Sequence, residues 1–60
     1  MDFIDVTNCA EKINKGEKAF TSSLEVRDYI VNWYKGWGTK IETETNNEGF
    51  LLWNPEKLNT

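Results

Sequence analysis

The residues of this chain best suited by type and spacing to do chemistry are three carboxylates, Glu42, Glu44 and Glu48. Glu42 and Glu44 stand two apart, a spacing that puts both on one face of an extended strand. A pair of acids can serve as general acid and base, but only inside a cleft that drives their pKa values apart. A chain of 60 residues has little room for such a cleft. The same pair could touch a cation, yet the spacing and glycine of a helix-loop-helix calcium site are absent. Carboxylates on a strand face also have a plain role: they stay solvated and discourage edge-to-edge pairing. The rest of the catalytic inventory is thin. There is no histidine, and Cys9 is the only cysteine. These absences exclude an intrachain disulfide, a zinc site of the usual sulfur and imidazole ligands, and any Ser-His or Cys-His pair. With no flanking base to lower its pKa, Cys9 reads as a small apolar filler. No catalytic residue, metal or cofactor is expected, and the chain is read as non-enzymatic.

A second group of residues points to recognition. Tyr29, Trp33, Tyr34 and Trp37 recur at helical spacing, and Trp37 sits between Gly36 and Gly38. Aromatic rings can stack nucleic-acid bases, but single-strand binders pair such platforms with a basic groove. Here the bases are scattered as Lys12, Lys15, Lys18, Arg27, Lys35 and Lys40, and the formal net charge is −3. Most rings at this spacing would be core. Trp and Tyr are also enriched at protein-binding hot spots, which makes Trp37 and Tyr34 candidate contacts. Lys12, Lys15 and Lys18 could meet phosphate, although cations also belong near a helix C-terminus.

The charge is uneven along the chain. Residues 41–60 carry Glu42, Glu44, Glu48 and Glu56 against Lys57 alone. An acidic segment of this kind can meet a basic protein surface, and such charge speeds association.

Those residues need elements to position them. Val6, Ala10 and Ile13 recur at i, i+4 and i+7, and Gly16 follows as a stop, so the spacing predicts a short helix over 5–15 with Asp5 or Thr7 as its cap. The competing assignment makes Phe3-Ile4-Asp5-Val6 a strand. Residues 16–20 then form a connector that plants Phe20 in the core. Ser22 with Glu25 three residues later has the form of a capping box, opening a long helix that runs to about Lys35. Its apolar side, Val26, Tyr29, Ile30, Trp33, Tyr34 and Trp37 with Leu24 and Val31 at the margin, covers more than half the circumference. Glu25, Asp28, Asn32 and Lys35 gather opposite. Either this helix is central to the fold or part of its aromatic side is an interface.

Gly36 and Gly38 close that helix. The chain then alternates strictly through Lys40-Ile41-Glu42-Thr43-Glu44-Thr45, turns at residues 46–49, and returns through Phe50-Leu51-Leu52-Trp53. If Asn46 pairs with Phe50, then Ile41, Thr43, Thr45, Leu51 and Trp53 share the face that packs on the long helix. Glu42, Glu44, Phe50 and Leu52 share the other, and a slip of one residue exchanges the faces.

Gly16, Phe20, Ser22, Glu25, Tyr29, Tyr34, Gly38 and Ile41 resemble the spacing of plant DNA-binding domains of the far-red-impaired-response type. In those, a glycine and a phenylalanine precede a capped helix that leads into a strand. The family's zinc-binding Cys and His and its basic strand have no counterpart in this sequence. Neither zinc nor DNA contact is therefore inferred from the likeness.

These readings combine into one small α+β domain over residues 1–60: a short N-terminal helix (or strand), one long amphipathic helix, then a C-terminal antiparallel β-hairpin. The N-terminus has no basic start followed by an apolar run, and no segment approaches a membrane span, so a soluble, cytoplasmic protein is expected. With 38% hydrophobic residues and eight aromatics but a mean hydropathy of −0.66, the chain is apolar enough to fold and short of core. A homodimer or a partner protein is a natural source of further burial. The expected function is a non-catalytic protein-binding module, such as a small inhibitor, antitoxin-like or phage-type accessory protein. Its contacts would be Trp37, Tyr34, Phe50, Leu52, Glu42 and Glu44. The alternative is a small nucleic-acid-binding domain with a helix and a wing-like hairpin.

Overall fold

A computed structural model of the chain describes residues 3–58. The elements run α1 (Phe3–Asn14), β1 (Ala19–Thr21), α2 (Leu24–Gly36), β2 (Glu42–Thr45) and β3 (Phe50–Trp53). The two helices cover one face of a three-stranded antiparallel sheet whose order is β1-β3-β2. This is the expected α+β class, with one strand more than the hairpin alone.

The N-terminal segment is helical from Phe3, so the strand assignment for residues 3–6 is not realised, and Asp5 and Thr7 lie inside the helix instead of capping it. The longer helix follows from its core stripe. Val6, Cys9, Ala10 and Ile13 are all buried, at the i, i+3, i+4, i+7 spacing of a helix that meets the core from Val6 to Ile13, while its first turn, with Phe3 and Ile4, stays exposed. Residues 1 and 2, where a cap would fall, are outside the described residues. Gly16 ends α1 as expected. At φ +80° it lets the Glu17 N–H donate to the Lys12 carbonyl at 2.9 Å and its own N–H to that of Ile13 at 3.1 Å, a Schellman closure.

Residues 19–21 form a strand rather than a connector. Ala19 pairs with Leu52, Phe20 with Leu51 and Thr21 with Phe50. Because side chains alternate across a strand, this pairing turns Ala19 and Thr21 inward and Phe20 out, where it is 46% exposed. The expectation that Phe20 enters the core is thus overturned. Ala19, whose side chain is a single methyl, occupies the inward place beneath the helices.

The start of α2 is also shifted by one residue. Ser23, not Ser22, is the N-cap, with its hydroxyl accepting from the Val26 N–H at 3.3 Å. The Thr21 hydroxyl accepts from the Ser23 N–H at 3.1 Å and fixes the approach. Glu25 therefore falls at the second helical position, and the expected capping box does not form. At the other end Gly38, at φ +78°, closes a second Schellman motif, in which the Thr39 N–H donates to the Tyr34 carbonyl at 2.9 Å.

The hairpin register differs by one residue from expectation. Thr45, not Asn46, pairs with Phe50, which sets Thr43 opposite Leu52, Glu44 opposite Leu51 and Glu42 opposite Trp53. The physical cause is the turn. The Asn46 side-chain oxygen accepts from the N–H groups of Glu48 at 2.8 Å and Gly49 at 3.0 Å, while the Asn46 N–H donates to the Gly49 carbonyl. That arrangement uses Asn46 as the first loop residue. The faces of β3 exchange accordingly: Leu52 points into the core, fully buried, and Leu51 and Trp53 point away from the helices. Gly49 is required where β3 begins, because a Cβ there would lie 2.5 Å from the Thr21 carbonyl oxygen. The buried core is Val6, Cys9, Ala10, Ile13, Ala19, Val26, Ile30, Ile41 and Leu52, with Val31 and Tyr34 packed against it.

Candidate protein-binding surface

None of the eight aromatic residues belongs to that buried core. Four of them form a chain of ring contacts along the seam between the helices. Phe3 meets Tyr29 edge to face at 6.3 Å between centroids, Tyr29 meets Trp33 at 6.1 Å, and Trp33 meets Tyr34 at 5.9 Å. Such geometries are favourable beyond their burial. Trp37 lies one helical turn beyond Trp33 and is 76% exposed; Phe3 is 64%, Trp33 46% and Tyr29 39% exposed. The chain thus presents an aromatic ridge, Phe3, Tyr29, Trp33 and Trp37, that no other element covers.

Tyr34 is the anchored end of this set. Its hydroxyl donates to the Asn14 side-chain oxygen at 2.9 Å, with the Ala10 carbonyl at 3.5 Å, and so ties α2 to α1. Burial raises the pKa of its phenol. Cys9, on the core side of α1, places its thiol 3.6 Å from the Phe20 carbonyl. Burial raises its pKa first, the nearby Asp5 carboxylate adds to that, and Lys12 opposes them. A thiol held neutral in this way is a poor nucleophile.

The six residues expected to contact a partner fall in three places. Tyr34 lies on the last turn of α2, and Trp37 is the residue that caps its C-terminus. Phe50 and Leu52 lie on the inner sheet face: Leu52 is core and so is withdrawn from the surface, while Phe50 is half-buried beneath the Arg27 guanidinium, 4.9 Å from the ring centre. Glu42 and Glu44 lie on the outer face, with Leu51 and Trp53 between β2 and β1. The aromatic helix side and the acidic hairpin are therefore separate surfaces. Sequence reasoning placed Trp53 inward and gave Phe3 no part; the outward Trp53 needed the register, and the Phe3–Tyr29 contact needed the helix packing.

The outer sheet face is less acidic than the sequence suggests. Lys40 pairs with Glu42 at 3.3 Å, and the Lys18 ammonium sits 4.5 Å above the Trp53 ring. A surface pair of this kind contributes little to stability. Lys12 and Lys15 line a shallow groove together with Asp5, Glu11 and Glu17, so acids interleave with these bases and no basic stripe forms there. Among the described residues no three His, Cys, Asp or Glu side chains converge as a metal site would require, and no helix is long and apolar enough to cross a membrane. Set against protein-family models, curated proteins and solved structures, the chain matches none of them.

Proposed function

We propose that this chain is a non-catalytic protein-binding module, of the kind that serves as a small inhibitor, antitoxin-like or phage-type accessory protein. The observation that carries the reading is the uncovered ridge Phe3, Tyr29, Trp33 and Trp37 on a chain whose core holds none of its aromatics. Apolar patches of this size on a small soluble chain mark interaction sites, and Trp and Tyr are the side chains that concentrate binding energy. The outer sheet face offers a second, separate surface, where Leu51 and Trp53 lie beside Glu44 and the Lys40-paired Glu42; Glu44, with Glu48 in the turn, is the charge left there to attract a basic protein.

The test is capture from lysate of the source organism, with and without nuclease, using the wild-type chain and Trp37→Ala. A protein retained after nuclease by the wild type and lost from Trp37→Ala, with unchanged far-UV circular dichroism, supports the reading. Retention that depends on nucleic acid and falls steeply with salt would favour the wing-like nucleic-acid alternative.

A further inference from the structure

We infer that the aromatic ridge joins two copies of this chain into a symmetric dimer. The inference rests on the reading of the ridge as a protein interface and names its occupant.

Three observations support a second copy. The first is area. At the exposures given above, the four rings present roughly 450 Å² of apolar surface, taking about 200 Å² for each. A standard interface buries about 800 Å² on each side, of which about 450–500 Å² is apolar. The ridge alone supplies that apolar share, on a molecule whose whole surface is 4248 Å².

The second is self-complementarity. In a two-fold interface a patch meets its own copy, so a concentration of one charge sign would repel itself. The four ridge residues carry no charge. Tyr29 and Trp33 on α2 and Trp37 at its C-cap recur every four residues along one line, the spacing of a ridge that packs against a second helix. Antiparallel docking of two α2 helices about Trp33 sets Tyr29 of one copy against Trp37 of the other. It also leaves Asp28 and Lys35, on the opposite side of α2, in solvent and sets the two helix dipoles antiparallel.

The third is need. The buried core is made of aliphatic residues, alanine and a cysteine, and the chain has no disulfide. Chains of this length stand near the lower limit of self-sufficiency, and oligomerisation is a usual remedy. Docking the ridge would cover the largest side chains the monomer leaves open while leaving the outer sheet face of each copy free for another protein.

The test is the mass of the full chain by sedimentation equilibrium over a concentration series, for wild type and for Trp37→Lys. Trp37 is the reporter because its side chain is the most exposed of the ridge and its part in helix closure is made by its backbone. The wild type should weigh twice the chain mass, and Trp37→Lys should raise the dimer dissociation constant at least ~10-fold, about the effect of losing one hot-spot residue, with unchanged circular dichroism. Tyr29→Lys should do the same. A wild type that stays monomeric at about 100 μM, well above the weak end of standard interfaces, overturns the dimer. So does a dimer indifferent to both substitutions. If the chain is monomeric yet a lysate protein is lost on Trp37→Lys, the dimer fails and the ridge remains a binding surface. If capture is also unaffected, both readings fail.

Discussion

α1 and α2 use their apolar residues in opposite ways. Beyond its exposed first turn, which bears Phe3 and Ile4, α1 has small and aliphatic residues, and Val6, Cys9, Ala10 and Ile13 are all buried along one stripe. α2 is the aromatic helix, yet it commits only Val26 and Ile30 fully to the core, with Val31 and Tyr34 beside them. Its largest rings stand at the margin. Apolar surface on a helix is thus not one quantity: part fills the core, and the excess stays exposed. The wide apolar arc of α2 is a core stripe and a ridge set side by side.

The strongest way to break this comparison is to truncate one residue of each kind. Ile13→Ala in α1 and Ile30→Ala in α2 remove fully buried side chains and should each lower unfolding stability by about 2–5 kcal/mol. Trp37→Ala removes a larger side chain and should change monomer stability by less than about 0.5 kcal/mol, the range of surface substitutions. Denaturant melts at a concentration that keeps the chain monomeric would decide it, and equal losses at Ile13 and Trp37 would erase the distinction.

A smaller effect sharpens the placement of α2. Ser23→Ala should cost about 1 kcal/mol, because that hydroxyl accepts from the first turn. Ser22→Ala should be close to neutral. The reverse ranking would restore the cap one residue earlier and rotate the reading of the whole helix.

The smallest effect concerns pH. Cys9 and Tyr34 both have pKa values raised in the fold, Cys9 chiefly by burial and Tyr34 by burial. For an acid whose folded pKa lies above its unfolded value, the contribution to stability is complete below the unfolded pKa and is lost as pH rises toward the folded one. Stability should therefore decline through the alkaline range, and the decline should be shallower in Cys9→Ala. An alkaline decline of the same slope in both proteins would remove Cys9 as a contributor.

Much of the framework is legible in the sequence because its signals are local. The stops at Gly16 and Gly38, the helical period of residues 24–36 and the turn at residues 46–49 each depend on neighbours within a few positions. The candidate surface was legible in part. Trp37 could be singled out from its flanking glycines, whereas Leu52 was assigned to the surface and proves to be core. That error came from counting the turn from Asn46 rather than recognising that its side chain folds back on Glu48 and Gly49.

By itself the sequence determined the α+β class of this protein: one long amphipathic helix and a hairpin after a first segment left between helix and strand, without the ligands of a zinc site or a catalytic triad. These follow from residue type and short-range period, which act before any distant segments meet. Tertiary structure decided the third strand, the register and the division of the aromatics. Ala19–Thr21 is too short to announce itself as a strand and becomes one only by pairing with residues 50–52. Once paired, a strand's two-residue period leaves no intermediate choice: a shift of one position sends Leu52 inward and Trp53 outward, and which rings stay exposed follows from which smaller residues fill the core.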